Sequence, residues 1–160
     1  MCYDSAMART LLLASAALLA ASLAYGAKPL RIWFVDVEGG QATLIVSPSG
    51  ETMLVDAGWP GRNGRDADRI VAAAKRARID RIDYMVVTHY HTDHVGGVPQ
   101  VAEKIPIRTW VDHGPSVETG KQADELMRAY LAYRAKGKHL QVKPGDKLPV
   151  KEIGRASCRG

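Results

Sequence analysis

An α/β fold is predicted for this 160-residue sequence by two observations. Three short runs rich in β-branched and aromatic residues follow one another with only tight turns between them, as an antiparallel meander does. Apolar strand-like runs then alternate with helix-period segments, as strands and crossover helices do in an α/β sandwich. The composition, 46% hydrophobic and 24% charged, is that of a globular chain and excludes disordered, fibrous and membrane-bundle classes.

The elements come in order. Residues 31–37 (RIWFVDV) form a strand broken at Glu38-Gly39-Gly40, residues 42–47 a second after it, and residues 52–56 a third beyond the turn Pro48-Ser49-Gly50. Residues 59–65 (WPGRNGR) read as a loop. Asp66 is placed to cap a helix to about residue 78, with Ile70, Ala73, Ala74 and Ala77 on one face. Residues 84–88 (YMVVT) are nearly continuously apolar, which predicts a buried strand. A short helix is expected near 99–104 and a strand at 108–111. A helix over 121–135 carries Ala123, Leu126, Met127 and Tyr130 on one stripe, and Gly137 stops it. Residues 139–150, with Pro144-Gly145 in the middle, predict strand, turn and strand.

The two ends read differently from the middle. Residues 11–24 form an uncharged apolar run preceded by Arg9 and followed by small residues at 24 and 26, the layout of a signal peptide cleaved after residue 26. An exported protein, periplasmic or secreted, is therefore expected, with no membrane attachment once the signal is removed; no cysteine follows the run, which excludes a lipid-anchored form. Residues 152–160 (EIGRASCRG) resemble the translation of a sequencing-library adapter and are expected to be an artefact at the end of a truncated gene. That leaves residues 27–151 as native domain. The chain's formal charge of +5 shrinks toward neutral once the ends are discounted, and both cysteines, Cys2 and Cys158, go with them. No disulfide framework or thiolate metal site is then available. No basic cluster with interleaved aromatics marks a nucleic-acid surface, so no stable nucleic-acid partner is expected.

The chemistry concentrates at the end of the buried strand. His89, His91, Asp93 and His94 fall within six residues. Imidazole nitrogens and a carboxylate together suit zinc, with manganese or iron as other candidates. If the loop stays extended, His89 and His91 project to one side and share a metal, while Asp93 and His94 follow a turn and serve a second ion. Gly96 and Gly97 let the backbone pass close by. Random placement in a chain of this composition would produce His-x-His-x-Asp-His on the order of three times in ten thousand.

The run His89-Tyr-His-Thr-Asp-His-Val-Gly-Gly97 resembles the signature loop of the metallo-β-lactamase superfamily, whose fold is a four-layer αββα sandwich; this chain then matches its N-terminal half. Phe34-Val-Asp-Val-Glu-Gly-Gly-Gln-Ala-Thr-Leu-Ile45 and Leu54-Val-Asp-Ala-Gly58 resemble the subgroup containing the hydrolase domain of the DNA-uptake competence channel protein, although Glu38-Gly39-Gly40-Gln41 departs from that subgroup's loop. The resemblance implies two divalent metals, with His89 and His91 on the first and Asp93 and His94 on the second. It implies Asp56 as a support that orients a ligand, Asp93 also as the group orienting a metal-bound hydroxide, and a zinc-type hydrolase. A phosphodiester substrate is expected first, with a β-lactam, lactone or thioester as the alternative. His113, just past the strand at 108–111, is a candidate substrate contact, and His139 is expected at the surface. The family's third histidines and bridging aspartate lie further downstream, so a chain ending here is expected to bind metal weakly and turn over little.

Overall fold

The computed structural model describes residues 28–153. The expected signal peptide, residues 1–26, lies outside the described residues, as does all but the start of the expected tail at 152–160. The elements are β1 (Arg31–Phe34), β2 (Thr43–Val46), β3 (Thr52–Val55), a 3₁₀ turn (Arg62–Gly64), α1 (Arg65–Arg76), β4 (Ile82–Val86), α2 (Thr92–Val95), α3 (Val98–Lys104), β5 (Ile107–Asp112), α4 (Lys121–Arg134) and β6 (Lys138–Gln141). The α/β expectation holds: all six strands form one sheet in sequence order. β1, β2 and β3 pair antiparallel, as the meander predicted, and β3, β4, β5 and β6 pair in parallel across helical connections.

Register decides which side chains meet. Trp33, Leu44, Leu54, Met85 and Trp110 stand in one row across the sheet. They join Ile70, Ala73 and Ala74 of α1, Val98 and Val101 of α3, and Tyr130 of α4 in a single core. Burying such side chains supplies the main driving force, about 1.5–3 kcal/mol for each large one. The two helical stripes read from the sequence are the faces that pack here. On the opposite sheet face the same register lines up Ile45, Val55, Val86 and Leu140, all half-buried, with Ile32 and the 84% exposed Phe34 of β1.

Two expectations need correction. Asp66 does not cap α1; the helix starts one residue earlier, after Gly64 in a left-handed conformation. The buried Asp66 carboxylate instead accepts the Trp59 amide at 2.9 Å and pairs with Arg65 at 2.7 Å, tying the preceding loop to the helix. The C-terminal segment forms one strand, not two. After β6 a turn closes through Asp146 N to Lys143 O at 3.0 Å. Pro144 and Pro149 cannot donate to a ladder. The chain then crosses to the far end of the sheet, where Tyr84 donates to Pro149 O at 3.2 Å and Lys151 N to Glu51 at 2.6 Å. Among the described residues no helix is long and apolar enough to cross a membrane.

Candidate metal centre

Because β3, β4 and β5 run parallel, their C-terminal ends share one edge of the sheet, the edge where open α/β sheets bind ligands. Asp56 ends β3, Thr88 and His89 follow β4, and Asp112 closes β5. The chain leaving β4 is extended at His91 (φ −68°, ψ 152°) and turns into α2 at Thr92. The expected change of direction between the first histidine pair and Asp93-His94 is therefore present.

Backbone bonds hold this loop against two others. Gln41 N donates to Asp93 O at 3.1 Å, Ala57 N to His94 O at 2.8 Å, and Gly97 N to Gly58 O at 2.9 Å. Such close approach excludes side chains: a Cβ on Gly40 would stand 2.5 Å from the Asp93 carbonyl oxygen, and one on Gly97 would collide with the Ala57 carbonyl. Gly97 thus does what its position in the sequence implied.

The imidazoles cluster. The His89 ring centroid lies 4.6 Å from that of His91, in an edge-to-face arrangement, and 3.9 Å from that of His94. His94 Nε2 is 3.5 Å from the Asp93 carboxylate. Asp56 lies behind the group and bonds to it. It is fully buried, and its left-handed backbone (φ 58°) turns its carboxylate toward the loop. One oxygen accepts the Thr88 amide at 2.8 Å; the other accepts the Thr88 hydroxyl at 2.6 Å and His94 Nδ1 at 2.8 Å. Since the Thr88 hydroxyl spends its proton on Asp56, its oxygen accepts from His89 Nδ1, 3.1 Å away. Both rings are thereby held as Nδ1–H tautomers, leaving their Nε2 lone pairs for a cation. Burial first, then the neighbouring His94 and His91 charges, pushes the His89 pKa below its ordinary 6.5.

Among the described residues no three His, Cys, Asp or Glu side chains converge tightly enough to hold a metal ion as they stand. The rings of His89 and His94 pack on one another rather than aiming at a common point. The donor set nevertheless fits a divalent ion: three imidazoles and a carboxylate on one loop, with two rings already fixed in the tautomer that presents Nε2.

Beside the loop lies a cavity of about 450 Å³ between Trp59, Tyr90, His91 and Asp93 on one side and Glu118, Gln122 and Leu126 on the other. His113 does not line it; the residue is exposed and its ring packs at a tilt against Tyr90, with centroids 5.0 Å apart. His139, read from the sequence as a surface residue, is exposed but engaged, with Nε2 3.0 Å from Asp112. Buried Asp112 also accepts the Tyr130 hydroxyl at 2.7 Å, Arg134 at 3.0 Å and the Gly114 amide at 2.9 Å. Burial alone would raise its pKa, but the hydrogen bonds from Tyr130, His139, Arg134 and Gly114 outweigh it and hold the carboxyl below its ordinary 3.8. Sequence reading missed Thr88, Glu118 and this Asp112 group. Asp112 alone carried a signal, as a carboxylate closing an apolar strand on the same edge.

A parallel sheet edge carrying a His-x-His-x-Asp-His loop backed by a buried Asp-x-Gly aspartate defines a class of metal-centred hydrolase folds. The metallo-beta-lactamase superfamily domain matches residues 35–155, and the chain belongs to that superfamily. It is 30% identical over 66 residues to a Caenorhabditis elegans beta-lactamase-like protein 2 homolog, covering 41% of this chain and 22% of that protein. It is 32% identical over 63 residues to a Stenotrophomonas maltophilia hydroxyacylglutathione hydrolase, covering 39% of this chain and 21% of that protein. The matches thus span about a fifth of the length of these curated relatives. Among solved structures, a metallo-beta-lactamase motif mutant from Cronobacter sakazakii is 25% identical with a TM-score of 0.40, covering 50% of this chain and 30% of that one.

Proposed function

We propose that the complete protein is a metal-dependent hydrolase of ester-type bonds and that this chain supplies the first part of its metal centre. The observation that carries this reading is the clustering of the His89, His91 and His94 rings beside Asp93, with His94 oriented by buried Asp56. His89 and His91 would hold one divalent ion and Asp93 and His94 a second, zinc first and manganese or iron as alternatives. When bound, such ions supply Lewis-acid polarisation and an acidified water.

This chain's residues do the remaining work. Asp56 and Thr88 keep the protons of His94 and His89 on Nδ1, so that neither competes at Nε2. Asp93 accepts a hydrogen bond from the attacking water and orients it. Trp59 and Leu126 give the adjoining cavity apolar walls, while Thr92 and Gln122 offer polar contacts to substrate.

Carbonyl-centred substrates, a thioester, lactone or β-lactam, are our first choice. Two carboxylates, Asp93 and Glu118, line the cavity, and among the described residues no lysine or arginine does; a phosphodiester anion would find no cationic side chain there. The name of the S. maltophilia relative, hydroxyacylglutathione hydrolase, supports the same choice. The similarity of residues 34–45 to the competence-channel subgroup keeps a phosphodiester as the second reading. Export to the periplasm or beyond is proposed from residues 1–26 alone.

The test is zinc content by plasma emission, with parallel assays on an acyl-glutathione thioester, nitrocefin and bis-p-nitrophenyl phosphate. We expect thioester or nitrocefin turnover in the complete protein and its loss in His89→Ala, with weak zinc binding and little turnover by the 160-residue chain. Failure of the complete protein to bind zinc or a related divalent ion would overturn the reading.

A further inference from the structure

Of the three clustered imidazoles, two have partners rooted in the sheet: His94 on Asp56 and His89 on Thr88. His91 has no such anchor, and its side chain is 57% exposed. Its Nε2 instead faces the Glu118 carboxylate at 3.3 Å. Glu118 belongs to the segment joining β5 to α4, and that segment is fastened to the metal loop on both sides of it. Before Glu118, the Tyr90 hydroxyl, next to His91 in the chain, donates to the Gly114 carbonyl. After it, the Gln122 amide donates to the Thr92 hydroxyl at 3.2 Å. Within the segment the Glu118 amide donates to Ser116 Oγ at 3.0 Å. Three bonds therefore place one carboxylate over one imidazole.

We infer that Glu118 is the positioning residue for His91, holding that ring's proton on Nε2 and its orientation toward His89, as Asp56 and Thr88 hold the other two rings. A carboxylate accepts only, so the nitrogen facing it must carry the proton, and the other ring nitrogen keeps its lone pair. Carboxylates that orient ligating histidines in this way typically change metal affinity about 10–100-fold. The consequence for a metal rests on the hydrolase reading above; the tautomer of His91 does not.

The experiment compares the full chain with E118A and E118Q. Long-range ¹⁵N–¹H spectra of the metal-free proteins report the His91 tautomer, and competition with a chromophoric chelator reports zinc affinity. We expect wild type to show the Nε2–H form of His91. We expect E118A to lose that preference and to bind zinc roughly tenfold more weakly. E118Q, whose amide oxygen also accepts, retains both properties. An E118A spectrum with His91 unchanged would overturn the inference. So would an E118Q as damaged as E118A, because charge or direct ligation would then be the role of Glu118. If wild type holds the tautomer but the complete protein takes up no zinc or related divalent ion, the hydrolase reading fails while the positioning role stands.

Discussion

Replacing Asp56 with asparagine isolates the proton bookkeeping of the site from its shape. The side chain is nearly isosteric, and asparagine adopts left-handed backbone readily, so φ 58° adds no strain. One carboxylate oxygen takes two donors, the Thr88 hydroxyl at 2.6 Å and His94 Nδ1 at 2.8 Å, while the other takes the Thr88 amide at 2.8 Å. If the asparagine oxygen stays on the Thr88 amide, its NH₂ group meets two donors. The Thr88 hydroxyl can rotate to accept, and His94 can move its proton to Nε2 and accept at Nδ1. A buried group left partly unsatisfied costs about 1–3 kcal/mol, so D56N remains folded with a stability loss of that size in urea denaturation. The functional effect is comparable in free energy but falls on the metal site itself, because His94 then carries a proton on the nitrogen it would offer to a metal. Zinc affinity, read by chelator competition, should fall about 10–100-fold. A D56N protein with the expected stability loss but zinc affinity within about twofold of wild type would refute the argument that Asp56 acts through the His94 tautomer.

Three further outcomes are expected. His89, its pKa depressed, resists protonation more when folded than when unfolded; its share of stability is intact above the unfolded value of 6.5 and falls as pH drops through the window between the two. A His89 NMR titration midpoint below 6.5 in the metal-free protein checks this, and one above it contradicts the burial argument. Gly97→Ala forces a methyl into the Ala57 carbonyl; a loss of about 2–3 kcal/mol in urea denaturation is expected, with weakened zinc binding, since the two loops must separate. Asp112→Ala removes the partner of buried Tyr130 and of Arg134 and should cost about 3 kcal/mol. Because Asp112 titrates below its ordinary 3.8, the charge-linked part of the wild-type advantage over this variant is present above that pH and is lost as pH falls through the folded value.

Local signals made much of this chain legible. The meander, the Ile70 and Tyr130 stripes and the metal loop each follow from residues adjacent in sequence or repeating at a fixed period. What stayed hidden depends on distance along the chain. Thr88 looks like any strand-end threonine until β3 pairs with β4 and brings Asp56, 32 residues away, onto its hydroxyl. Glu118 sits in a polar segment, 27 residues from the histidine it faces. Asp66 had the right chemistry for a helix cap, but the Trp59 amide and the Arg65 guanidinium compete for the same carboxylate, and tertiary partners prevail. Beyond the Pro144-Gly145 turn a second strand is expected to run to residue 150, yet Pro149 leaves a gap where a ladder needs a donor.

The three imidazoles are held by groups set on successive strands: Asp56 at the end of β3, Thr88 after β4, and Glu118 in the segment beyond β5. The sheet therefore works as a ruler. A slip of one residue between β3 and β4 would shift Asp56 by about 3.3 Å and release two rings together. Occupancy and strand alignment then report on each other: an ion gripped at the rim would slow amide exchange deep in the β3–β4 pairing, along residues that never touch it.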